Sequence, residues 1–216
     1  MDGIKNSNSL PHPSDMPNTC HIALKEWAAF VSALQQGGQL LLLRKGGIRE
    51  EGKKFIPAHP SFLLFPTYEH QKRELLKPAF QPNVSLAPSG GKPPTVTLTH
   101  WAQLHEAIQV SEEPAIESIS PFHIWSDDYA QKRLRWKPRQ PLWLLILRVY
   151  RLAEPQTIPN LPAYAGCKSW ITLQDPVPLG ELAPVMSQDR FEDAVARIKS
   201  ALAPSAAPQP QTAPLS

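Results

Sequence analysis

Gln39–Gln71, QLLLLRKGGIREEGKKFIPAHPSFLLFPTYEHQ, holds two short apolar runs, a glycine pair, dense alternating charge and two histidines. Leu40–Leu43 is an unbroken apolar run too short for a helix, which predicts a buried strand ending at Arg44 and Lys45. Gly46–Gly47 then reads as a tight turn, and Ile48–Ile56 as a charged edge arm of a hairpin. After Pro57 and Pro60 a second apolar run, Phe62–Phe65, predicts another strand stopped at Pro66. Two buried strands around a charged hairpin, in a chain with helical patterns on both sides, predict an α+β domain.

The rest of the chain extends this reading. Residues 1–18 are polar and proline-bearing and are expected to be disordered, as is the Pro/Ala tail 204–216. One domain is expected over 19–203, with a Pro-, Gly- and Ser-rich loop at 78–94. Leu24, Trp27, Ala28, Val31 and Leu34 recur at helical spacing, and Gly37–Gly38 supplies the stop. Thr67 is placed as the cap of a short helix to Leu76. Thr95–Thr99 alternates as a strand, with a short helix after it carrying Trp101, Leu104 and Ile108. Ser126, followed by Asp127 and Asp128, predicts a helix start, with Lys132, Arg133 and Arg135 in its last turns. Leu142–Leu152 is the strongest strand pattern, Lys168–Leu173 reads as another strand, and Ser187 precedes an amphipathic helix bearing Phe191, Val195, Ile198 and Leu202. The expected architecture is a mixed, curved or barrel-like sheet flanked by three to four helices.

Composition narrows the function. With 42% hydrophobic residues the chain can bury a core, while 25 prolines argue for long irregular connections rather than a helical bundle. The longest apolar run, Leu142–Leu147, falls far short of the ~20 residues of a membrane helix. There is no apolar leader, so a soluble, cytoplasmic protein is expected. Cys20 and Cys167 are too few and too far apart for a metal knuckle or disulfide framework.

The net charge of +3 is mild, but no acidic residue occurs from Tyr129 to Ala153. Lys132, Arg133, Arg135 and Arg148 lie there among Trp125, Tyr129, Trp136 and Trp143. Cations interleaved with aromatics suit phosphate contact and base stacking. Arg44, Lys45 and Arg49 around the glycine turn form a second basic element that can approach a phosphate closely. His70 and Trp170 complete the candidate nucleic-acid-binding set, and DNA or RNA is the expected partner. No catalytic residue, metal or cofactor is assigned. His59, Glu69 and His70 match no ligand template, because Glu69 and His70 are adjacent and would diverge on a helix. Glu50, Glu51 and Lys53 contain the Glu-x-Lys end of a Mg²⁺-nuclease pattern without its second carboxylate, so a nuclease is the alternative reading. A protein-interaction domain, with the aromatics in the core and the basic block facing an acidic partner, is a further one.

ALKEWA (Ala23–Ala28), LLRKGGIREEG (Leu42–Gly52), FLLFPTYEHQ (Phe62–Gln71), HIW (His123–Trp125), RLRWKPRQPLWLLILRVYRL (Arg133–Leu152) and GCKSW (Gly166–Trp170) together resemble the domain-of-unknown-function family 1802. That resemblance covers roughly residues 20–200 and implies a bacterial, often cyanobacterial, cytosolic protein. It also implies an association with restriction-endonuclease-type domains. The element order is similar to that of the small PUA, ASCH and EVE modules, which implies recognition of RNA or a modified base in an aromatic and polar cleft.

Overall fold

The computed structural model describes residues 16–45, 58–69, 71–84 and 93–203. The Gly46–Gly47 turn, the arm Ile48–Ile56, His70, the tail 204–216 and residues 1–15 of the N-terminal end expected to be disordered lie outside the described residues.

Among the described residues seven strands form one mixed sheet: β1 (Thr19–Trp27), β2 (Leu41–Arg44), β3 (Ser61–Thr67), β4 (Thr95–Val110), β5 (Leu142–Pro159), β6 (Trp170–Pro178) and β7 (Leu182–Pro184). The α-helices of the described residues are α1 (Ala28–Gln35), α2 (Glu113–Ser118), α3 (Asp127–Arg135) and α4 (Gln188–Leu202). The sheet order is β2-β5-β4-β3-β1-β6, with β7 continuing beside β5 along the edge that β2 begins. Only β1 and β3 run parallel; the other pairs are antiparallel. The sheet stays open, so the expected α+β class holds without closure into a barrel.

Core packing explains why several strands read as continuous apolar runs. Phe62 and Leu64 of β3 enter one buried cluster with α1, β2 and β5, whereas Leu63 and Phe65 enter the cluster on the opposite face. Both faces of the sheet are therefore covered, and alternation between them leaves no polar positions. In β5, Leu142 and Leu144–Leu147 are fully buried, at about 1.5–3 kcal/mol for each such side chain.

Three expectations need correction. Leu24 and Trp27 belong to β1, and the helix begins only at Ala28. Its stop is as expected: Gly37, at φ +66°, donates to Leu34 O and Gly38 to Ala33 O. Thr67 ends β3 instead of capping a helix, and the segment after it holds a 3₁₀ turn at Arg73–Leu75. Trp101, Leu104 and Ile108 lie in β4, not on a helix. Register shifts at Leu98/His100 and Leu104/Glu106 interrupt its two-residue alternation and imitate a helical period. The 78–94 loop includes a 3₁₀ turn at Pro78–Asn83. The strand expected at Lys168–Leu173 spans Trp170–Pro178.

Helix α3 starts as its sequence predicts, with Ser126 Oγ accepting from Tyr129 N, acids in the first turn and bases in the last. Ahead of it sits His123, 4% exposed, packed on Trp125 with neither ring nitrogen hydrogen-bonded. Burial, helped by the Lys77 charge, pushes its pKa down to about 4; burial and Arg151 do the same to His100. For both rings the folded value lies below the unfolded one, so the unfolded chain takes up more protons between about pH 6.5 and 4. Stability is therefore expected to fall as pH drops through that window, by about 3 kcal/mol for each ring at its lower end. Urea midpoints measured from pH 7 to 4.5 check this: His123→Phe should flatten the fall, and an unchanged slope would contradict the assignment.

Candidate functional site

The parallel strands β1 and β3 end side by side, with Trp27 opposite Thr67. The last residues of β1 break the apolar pattern: Lys25 and Glu26 are charged yet 6% and 7% exposed. Burial of charge requires partners, and each has them. Lys25 Nζ donates to Tyr164 O and Gly166 O, both at 2.9 Å, and lies 3.9 Å from Glu69 Oε2. Glu26 Oε2 accepts from Arg44 Nη1 at 2.6 Å, and Arg44 Nη2 also donates to Ser169 Oγ.

This pairing joins the end of β1 to the end of β2, although the two strands are not neighbours in the sheet. Lys45, directly after β2, donates through Nζ to Leu134 O at the C-terminal end of α3, where a cation suits the helix dipole. Arg133 Nη2 returns a hydrogen bond to Lys45 O at 3.5 Å. Burial, together with the neighbouring Arg133 charge, holds the Lys45 pKa below the ordinary lysine range.

These groups surround a cleft of about 280 Å³, floored by Glu26 and Arg44 and walled by Lys45, Tyr129, Arg133 and the 166–169 turn. Among the described residues its lining carries five cations, Lys25, Arg44, Lys45, Arg133 and Lys168, against the carboxylates Glu26 and Glu69. Both carboxylates are paired, while Lys45, Arg133 and Lys168 have no ion-pair partner among the described residues. Trp136, 38% exposed, stands at the rim, with Arg133 Cζ 5.2 Å and Lys137 Nζ 4.3 Å from its ring centre. Lys137 holds a left-handed φ of +50°, an uncommon state for a non-glycine residue, and it sits directly beside this tryptophan. Trp27 stacks on Tyr129 at 6.1 Å on the inner side.

Of the residues expected to bind, the structure gathers Arg44, Lys45, Arg133 and Trp136 around this cleft. It disperses the others. Trp125 is buried at 1% exposure against Phe30, away from the cleft lining. Arg148 is buried too, its guanidinium 4.6 Å from the Phe191 ring centre and donating to Ser187 O. Trp170 packs edge-on against Phe62 and His59. Lys132 pairs with Asp128, and Arg135 grips both oxygens of Glu113 at 2.7 and 2.9 Å, which lowers the Glu113 pKa. Arg49, His70 and the nuclease-pattern residues Glu50, Glu51 and Lys53 lie outside the described residues. Among those described, no group of three or more His, Cys, Asp or Glu could hold a metal ion. None of their helices is long and apolar enough to cross a membrane. Lys25, Glu26 and Lys168 were missed as cleft residues, and the visible signal was the adjacent charge pair inside the apolar run ALKEW.

Fold and cleft together define an α+β protein built on an open mixed sheet, with a basic cleft where two parallel strands end. The chain belongs to the DUF1802 family, a domain of unknown function, whose model matches residues 23–197. No curated protein matches it. Among solved structures, a crystal structure of a ZmASCH mutant protein from Zymomonas mobilis is similar at 10% identity and a TM-score of 0.33, covering 84% of this chain and 98% of that one. A likeness that loose carries no functional conclusion.

Removing the Glu26 carboxylate takes away the partner that meets the buried Arg44 guanidinium at 2.6 Å. Glu26→Ala is therefore expected to destabilise the domain by about 3 kcal/mol in urea unfolding. Glu113→Ala, which breaks the solvent-exposed pair with Arg135, should barely move the midpoint. Equal effects of the two substitutions would contradict the structural role given to Glu26.

Proposed function

We propose that this domain is a non-catalytic nucleic-acid-binding module whose basic cleft receives the phosphate backbone of DNA or RNA. The observation that carries the reading is the excess of cations around one opening, with a half-exposed tryptophan at its rim. Arg133 and Lys168 supply charge that no described carboxylate neutralises, while Lys45 is 2% exposed with its ammonium on Leu134 O. Burial first and the Arg133 charge second hold the Lys45 pKa down, and an anion beside Arg133 would offset the second of these. Phosphates released from their counterions are the natural match for such a site, and Trp136 offers a ring face to a base. The association with restriction-endonuclease-type domains that the family resemblance implies would place this module beside a DNA-cleaving partner.

Titration with short DNA and RNA oligonucleotides at two salt concentrations, followed by tryptophan fluorescence, tests the reading. Quenching that weakens steeply with salt is expected, and Arg133→Ala or Lys168→Ala should each lower the logarithmic salt slope by about one. The double variant Lys132→Ala/Arg135→Ala, outside the cleft, should retain most of the affinity. Failure of every oligonucleotide to bind at low salt would overturn the proposal. With Mg²⁺ added the oligonucleotides are expected to stay intact, and cleavage abolished by Glu51→Gln would replace the binding reading with a nuclease.

A further inference from the structure

The inner end of the basic cleft decides which part of a nucleic acid can occupy it. Its floor is closed by Glu26 and Arg44, which hold one another and are 7% and 8% exposed. Toward β3 it stops at Lys25 and Glu69. Beyond that partition lies a second cavity of about 290 Å³, which shares Lys25, Thr67 and Glu69 with the cleft but is otherwise walled chiefly by Phe65, Pro66, Tyr68, Val96 and Tyr164. Among the described residues its lining adds no cation to Lys25, whose ammonium Tyr164 O, Gly166 O and Glu69 already engage. A phosphate backbone running on from the cleft would set its charge against apolar walls, at a desolvation cost that no cation there offsets. For a charged strand the cleft is a blind end.

An internal phosphodiester continues into a sugar on both sides and needs a groove open at two ends, whereas a terminal phosphate is tethered on one side only. The charges point the same way. Arg133 comes from α3 and Lys168 from the 166–169 turn, and their hydrogen bonds go to neutral carbonyls, Lys45 O at 3.5 Å and Ala163 O at 3.4 Å, which leave both charges in place. A phosphomonoester carries about −1.5 to −2 charge at neutral pH and three acceptor oxygens, against a single charge on a diester, so it matches two such cations. Arg133 also ties the cleft to Trp136, since its guanidinium lines the one and lies 5.2 Å from the ring centre of the other.

We infer that the cleft takes the end of a strand, with a terminal phosphomonoester held by Arg133 and Lys168 and the adjoining base against the exposed Trp136 ring at the rim. The inference rests on the nucleic-acid reading of the cleft and narrows its ligand from any phosphate backbone to a phosphorylated strand end. Stacking on Trp136 requires that this base be unpaired, and every base offers a face to it, so the site reads the end and not the sequence. A 5′- and a 3′-phosphate present the same group to the two cations, and the experiment separates them.

Fluorescence anisotropy on the full chain tests this with one short single-stranded sequence, labelled internally, in four forms: 5′-phosphorylated, 3′-phosphorylated, hydroxyl at both ends, and circular. One phosphorylated form should bind about tenfold more tightly than the hydroxyl-ended form, as for one added hydrogen-bonded charge contact. The circular form should bind no better than the hydroxyl-ended one. Lys168→Ala, at an exposed position outside the core, and Arg133→Ala should each remove most of the gain from the phosphate. Equal affinity for phosphorylated and hydroxyl ends, or a circular form as tight as the phosphorylated one, would overturn the strand-end inference and leave the cleft reading standing. A gain undiminished in both variants would seat the terminal phosphate elsewhere and overturn it as well. Absence of binding by every form at low salt would overturn both.

Discussion

The ion pair between Glu26 and Arg44 is the constraint on which the functional end of this protein depends. In the sheet order β2 lies first and β1 fifth, yet carboxylate and guanidinium meet at 2.6 Å. The sheet must therefore curl until the end of β2 reaches the end of β1, without main-chain pairing between them. Helix α1 connects the two strands and fills the space with Phe30, Val31 and Leu34, each at most 2% exposed. Buried ion pairs repay their desolvation only with good geometry and further hydrogen bonds, and Ser169 supplies one here. Through Ser169 the same contact anchors the turn that leads into β6.

From that anchor the cleft follows with few additional requirements. Arg44 fixes the exit of β2, so Lys45 emerges against the last turn of α3 and binds its terminal carbonyl. That contact brings Arg133 and Trp136 to the opening. Lys25, facing away from Glu26 along the strand, fastens the 164–166 turn, and the Tyr164 ring then walls the neighbouring cavity. Two adjacent charged residues in one strand thus organise a basic opening and an aromatic one.

The parts legible in sequence were those where a single physical rule governed. Leu40–Leu43, Phe62–Phe65 and Leu142–Leu152 were recognisable because continuous apolar runs fit a sheet covered on both faces. Helix α3 was recognisable from its serine cap and charge order. The N-terminal strand was hidden because Leu24 and Trp27 fall in phase with the helix that starts at Ala28, and because Lys25 and Glu26 read as a polar helix face. The second half of β4 was hidden by its register shifts. In the site, Arg44, Lys45, Arg133 and Trp136 lie around one cleft, whereas Trp125 and Arg148 are drawn inward by packing on Phe30 and Phe191 that no local pattern reveals. Lys25 and Lys168 join the cleft only through tertiary contacts separated by some 140 residues.

The central claim is that nucleic acid enters at the end of β1 and β2, beside Trp136, and not elsewhere on a basic surface. Indole N–H signals of the six tryptophans, assigned by substitution and followed by NMR while a short oligonucleotide is added, report this most directly. The account predicts a large shift for Trp136 and a smaller one for Trp27, with the buried Trp101 and Trp125 unmoved. Saturable binding that leaves the Trp136 signal in place would contradict it.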